Sequence, residues 1–96
     1  MQLLHRLRSW LVPLATRQRA LQIAAAVCKC DSARLTIHDT QPDNCHLYNV
    51  PAEPCWFVYA PWREGKDGLG LRSSRVILVS KRNGAILFDG SAHDEG

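Results

Sequence analysis

The 96-residue sequence is poor in aromatic side chains, at 7%, and has a single methionine. It also lacks any apolar run near the roughly 18 residues a helix needs to cross a bilayer, which excludes a membrane-spanning helix. The apolar stretch that opens at Trp10 is cut by Arg17 and Arg19, short of the roughly 7 to 15 uninterrupted apolar residues of a signal-peptide core. Ala25-Ala26-Val27-Cys28 has the outline of a lipoprotein cleavage box, but bulky Val27 stands where a small residue belongs. Export is therefore not expected, and the chain reads as cytoplasmic. Internal repeats and low-complexity tracts are missing too. With 46% hydrophobic and 22% charged residues the chain is too apolar to stay disordered. Its length supports one core, so residues 1–96 form a single domain, with 1–12 either docking on that core or standing apart as an amphipathic extension.

The usual catalytic arrangements are missing as well. Ser73-Ser74 has no Gly-x-Ser-x-Gly elbow to expose a nucleophile. Cys45 and His46 are adjacent, so on a strand they point to opposite faces and do not form a nucleophile and base. Gly65, Gly68 and Gly70 come without the Lys-Ser/Thr that grips phosphates in a P-loop. The carboxylate pairs Asp39/Asp43 and Asp89/Asp94 fall in turn and tail sequences, and His38 and His93 have no suitably spaced partner. These absences point away from an enzyme and from any cofactor.

Four cysteines are present, Cys28, Cys30, Cys45 and Cys55. Zinc sites favour pairs of ligands presented by tight turns. Cys28-Lys29-Cys30 has one residue between its thiols rather than two, and Cys45-His46 has none, so neither is a common zinc hook. In a reducing compartment all four are expected as free thiols, with bound metal as the alternative. Cys28 is then a small apolar residue on a helix, and Cys55 the same at the start of a strand.

The charge is mild in total, +3 with a pI near 8.9, and uneven in placement. Residues 1–34 carry Arg6, Arg8, Arg17, Arg19, Lys29 and Arg34 against Asp31 alone, whereas residues 83–96 carry only Asp89, Asp94 and Glu95. A dedicated nucleic-acid binder is expected to be more strongly and more locally basic.

Leu3, Leu4, Leu7, Trp10 and Leu11 share one helical face, giving a short amphipathic helix that also suits a membrane surface. Pro13 interrupts it. A second helix is expected over 14–29, lined by Leu14, Leu21, Ala24, Ala25 and Cys28. Alternation of Ala33, Leu35 and Ile37 then predicts a strand. Residues 39–54 read as turn and loop. Cys55 to Trp62 is the strongest strand sequence, with Trp56, Val58 and Ala60 on one face and Phe57 and Tyr59 on the other. Trp56 is expected to be buried between helix and sheet. Residues 63–72 form a Gly-containing polar loop. Arg75–Ser80 and Ala85–Asp89 read as a hairpin around Asn83-Gly84. With no helices between strands, the fold class is α+β: an N-terminal helix or helices on one face of a small antiparallel sheet of three to four strands, ending in a hairpin.

Cys55-Trp56-Phe57-Val58-Tyr59, Leu71 and Ser74 leading into Val76-Ile77-Leu78-Val79-Ser80-Lys81, then Gly84-Ala85-Ile86-Leu87 and Gly90-Ser91-Ala92, resemble the pattern of the immunity protein 35 family. The resemblance spans roughly residues 53–93. It implies an N-terminal helix followed by a three-stranded antiparallel sheet, and a protein that neutralises a bacterial polymorphic toxin. The same hairpin is similar to that of PepSY domains, which implies peptidase inhibition instead. Apart from either family, Trp62, Arg63, Lys66, Arg72 and Arg75 set Trp and Arg among polar neighbours, the composition of a protein-binding hot spot. They are the candidate partner-binding residues of a non-catalytic module. Their mixture of aromatic and basic residues also suits nucleic acid, which is the further alternative.

Overall fold

The computed structural model describes residues 15–62 and 73–94. The order is helix α1 (Arg17–Cys28), a 3₁₀ turn (Ser32–Arg34), then strands β1 (Thr36–His38), β2 (Cys55–Ala60), β3 (Arg75–Ser80) and β4 (Ile86–Ser91). The strands form one antiparallel sheet in sequential order, so the architecture is α+β with a helix on a four-stranded sheet.

Helix α1 begins where Thr16, in extended conformation, accepts the Arg19 amide at 3.1 Å and so satisfies one of the donors a helix start leaves over. It ends at Lys29, which turns left-handed (φ 54°) and returns its N–H to the Ala25 carbonyl. The contact face is built from small residues: Ala20 and Ala24 are fully buried, with Leu21, Ile23 and Cys28 packed around them. The helix is shorter than its sequence pattern predicts; Leu14 and the Leu3–Leu11 face lie outside the described residues. Ala25, expected on the contact face, is only half-buried, and Ala20 takes the central place.

β1 also begins later than its alternation suggests. The Asp31 carboxylate accepts the Ala33 amide at 3.0 Å and caps the 3₁₀ turn, which takes residues 32–34 out of the strand. Only Ile37 of β1 reaches the core; Leu35 packs at its edge.

β2 and β3 pair from Cys55↔Ser80 to Ala60↔Arg75, and this register divides the side chains between two faces. Val58, Ile77 and Val79 meet α1 and Ile37. Phe57, Val76 and Leu78 meet Cys45, Cys55 and Ala92, with Leu47, Tyr59, Leu87 and Phe88 packed against them. The alternation of β2 inferred from sequence holds, and β3, buried along its whole length, is the sheet's centre.

The hairpin falls at Asn83-Gly84, and β4 runs two residues further than its apolar sequence, with a bulge opposite Leu78 and Val79. Gly84 has φ +78°, a conformation that calls for glycine, and a Cβ there would also crowd the end of the Ile23 side chain at 2.9 Å. Trp56 is only half-buried. Its indole N–H donates to the Ala15 carbonyl at 2.9 Å and Lys81 lies 4.5 Å over its ring, while Lys81 also pairs with Asp39. Instead of filling the core, Trp56 ties the start of α1 to the hairpin and to the end of β1.

Candidate functional site

The sequence puts five residues at the candidate partner surface, and the structure places two of them. Arg75 opens β3 and is only 5% exposed. Its guanidinium forks onto the Asp89 carboxylate with two bonds of 2.8 Å and donates a third, of 3.1 Å, to the Pro61 carbonyl. The hydrogen bonds to Asp89, opposed by burial, hold its pKa above the usual arginine value. Trp62 lies against this pair, its ring centroid 6.0 Å from the guanidinium, and its indole N–H donates to the Ser73 carbonyl at 2.8 Å. Arg75 is therefore not the exposed hot-spot cation its sequence context suggests. It fastens Pro61 to β4 while Trp62 fastens to Ser73, closing the base of the connection between β2 and β3. Arg63, Lys66 and Arg72 lie outside the described residues.

The cysteines divide into two classes. Cys28 and Cys30 are joined by a disulfide with their Cα atoms 5.4 Å apart, which corrects the expectation of four free thiols. A helix that ends in a left-handed turn at Lys29 brings the two side chains back toward each other. Cys45 and Cys55 are free and buried. Cys55 packs at the start of β2 as its sequence position suggests, and burial pushes its thiol pKa up. Burial raises that of Cys45 as well, against an interaction with Tyr59 that lowers it. Neither thiol has the depressed pKa of a nucleophile. Among the described residues, no three of His, Cys, Asp and Glu converge as metal ligands. No described helix is long and apolar enough to cross a membrane.

A concave feature absent from the sequence reading lies on the sheet face opposite α1. Residues 45–48 cross this face, held by the Cys45 amide on the Pro42 carbonyl (3.0 Å) and the His46 amide on the Ala92 carbonyl (2.7 Å). The chain end is held by the Ala92 amide on the Ser74 carbonyl (2.8 Å) and the Ser74 amide on the Asp94 carboxylate (2.7 Å). Between the two crossings is a shallow cleft of about 240 Å³, lined by Leu47, Tyr48, Asn49, Phe88 and His93. Tyr48 is 92% exposed and meets the His93 ring edge-on at 5.6 Å. His93 turns left-handed (φ 51°) to reach it. Beneath the cover the Tyr59 hydroxyl is buried and, among the described residues, has no hydrogen-bond partner of normal geometry. Burial, with the nearby Cys45 and Asp94, pushes its pKa up to about 12. Residues 45–49 read as a loop in sequence because their apolar residues have neither the helical nor the strand period; the only signal was Leu47-Tyr48 amid turn residues.

The chain matches no family model, no curated protein and no solved structure.

Proposed function

We propose that this chain is a non-catalytic protein-binding module whose contact surface is the Tyr48 cleft. The observation that carries the reading is the 92% exposure of Tyr48 beside a pocket of Leu47, Phe88 and His93. Tyrosine is among the side chains that dominate binding energy, since its large rigid surface is buried at low entropic cost. One further feature fits: the cover is anchored by backbone hydrogen bonds from Cys45 to Pro42 and from His46 to Ala92, so the cleft is formed before a partner arrives.

The resemblance of residues 53–93 to the immunity protein 35 family makes a bacterial toxin in the cytoplasm the partner class. A peptidase, as for PepSY domains, is the runner-up. The basic residues Arg63, Lys66 and Arg72, which in sequence lie between Trp62 and Arg75, are the second candidate, and their composition would also suit nucleic acid.

Affinity capture from native lysate, followed by titration of the recovered protein, tests the reading. Tyr48→Ala should weaken binding by about 1–3 kcal/mol, mostly as faster dissociation, with the fold retained. Unchanged affinity for Tyr48→Ala, with loss when Arg63, Lys66 and Arg72 are reversed to Glu, moves the contact to the basic connection. A complex with nucleic acid whose affinity falls steeply with salt replaces protein binding altogether.

A further inference from the structure

We propose that Cys28 and Cys30 are a redox-active pair, a disulfide at the end of α1 that exchanges with dithiols while the fold stays in place. In a chain-entropy account the bond contributes less than a long-range bridge would, because it closes a very short loop around the single residue Lys29. It joins no two separate elements. The end of α1 is also already secured without it, since the amides of Lys29 and Cys30 both donate to the Ala25 carbonyl, the latter at 3.1 Å. A half-exposed disulfide that links no separate elements belongs to the labile class rather than to the protected bonds that staple a fold.

The surroundings fit exchange chemistry. Cys28 and Cys30 are each half-buried, and Lys29 between them is exposed. A cation at the neighbouring position is the kind of surrounding that favours a thiolate. Lys29 also holds a left-handed conformation that glycine adopts more easily, so part of the cost of the tight loop is borne at this residue. The other two cysteines offer the contrast. Cys45 and Cys55 are buried, with thiol pKa values raised by desolvation, and take no part.

In the exchange, a thiolate of the dithiol attacks one sulfur of the pair. A new S–S bond forms to that cysteine, the Cys28–Cys30 bond breaks, and the displaced thiolate takes a proton from solvent. The second thiolate of the dithiol then displaces the first cysteine, which is protonated in turn. Two electrons pass from the dithiol to the protein, and the reagent leaves as its own disulfide. Run in reverse, a disulfide reagent oxidises the two thiols: one cysteine thiolate attacks it and releases the first thiol, and the second cysteine then closes the Cys28–Cys30 bond and releases the other.

The experiment equilibrates folded protein with glutathione buffers of graded thiol-to-disulfide ratio, followed by acid quench, alkylation and mass spectrometry. Cys28 and Cys30 should become alkylated together, as one two-electron step at a ratio such a buffer can set. Cys45 and Cys55 should react at least tenfold more slowly in the folded state, and the far-ultraviolet circular dichroism should be the same at both extremes. Cys28→Ser and Cys30→Ser should each trap one glutathione on the remaining cysteine, whereas Cys45→Ser and Cys55→Ser should leave the step unmoved. Two results overturn the proposal. One is that Cys28 and Cys30 remain free thiols in the most oxidising buffer. The other is that their bond resists dithiothreitol until the protein unfolds.

Discussion

On one face of the sheet Val58, Ile77 and Val79 meet Ala20 and Ala24 of α1; on the other, Phe57, Val76 and Leu78 meet Cys45 and Ala92, which belong to no helix or strand. Both covers exclude water from β3, but by different means. A helix pairs its interior backbone donors and acceptors with one another, so α1 needs only a capping threonine and a row of small residues to lie close. An irregular cover has to find a partner for every buried amide and carbonyl one at a time. Here those partners are Pro42, Ala92, Ser74 and Asp94, together with the Gln41 side chain, whose amide donates to the Cys45 carbonyl at 2.8 Å. The irregular side consequently carries the exposed tyrosine, the cleft and the buried Tyr59 hydroxyl. The proposed contact surface therefore lies where regular structure does not do the covering.

The sharpest way to break this comparison uses two neighbours on β3. Ile77 and Leu78 are both fully buried and point to opposite faces, so Ile77→Ala and Leu78→Ala should each cost about 2–5 kcal/mol by denaturant unfolding, the largest single-residue effects expected here. Their local consequences should differ. Leu78→Ala loosens the loop cover and should speed amide exchange at His46 and Ala92 more than at Ala24, and Ile77→Ala the reverse. Equal acceleration at all three amides by either variant would mean the faces open as one unit.

Next in size is Trp56, at the border of the α1 side. It is half-buried, so Trp56→Ala should cost about 2–4 kcal/mol through lost packing under α1 and the lost bond to the Ala15 carbonyl. Trp56→Phe keeps most of the packing and should recover all but about 1–2 kcal/mol. If the two variants are equally unstable, the indole hydrogen bond, rather than the ring's contact area, fixes the start of α1.

The same contrast explains what could be read from the sequence. The α1 side was legible in outline because helix and strand periods are carried by side chains: Val58 and Ala60 fall on the predicted face, and Asn83-Gly84 makes the predicted turn. Ala24 falls at the centre of the helix face as expected, but Ala20 was missed and Ala25 misplaced, because alanines carry little hydrophobic signal beside Leu21. Residues 32–34 left the strand because the Asp31 carboxylate offers Ala33 a local hydrogen bond that outcompetes the alternation. The other side was not legible. Nothing local tells that His46 pairs with Ala92, 46 residues further along, or that Arg75 turns inward to Asp89 rather than out to solvent. Both depend on where the sheet brings distant residues together.

The smallest effect sharpens the comparison from the side of pH. Burial works against the charge of Asp94, but hydrogen bonds from the Ser74 hydroxyl and amide, with help from His46, outweigh it and hold the carboxyl below its ordinary value of 3.8. A carboxyl whose pKa is lower folded than unfolded contributes stability that is fully present above the unfolded value and disappears as the pH falls through the folded one. Asp94→Asn should therefore cost about 1 kcal/mol near neutrality, the size of one charge-assisted hydrogen bond at a partly exposed site, and progressively less below about pH 4. Tyr59 acts in the alkaline direction. Its pKa, raised to about 12, favours the neutral phenol, and the stability it provides is present below about pH 10 and lost as the pH rises through 12. Urea unfolding of wild type and Asp94→Asn at pH 7 and pH 3 measures the first effect. A smaller gap between the two proteins at pH 3 than at pH 7 is the expected outcome, and a constant gap would show that the Asp94 carboxylate contributes to the loop cover through its shape rather than its charge.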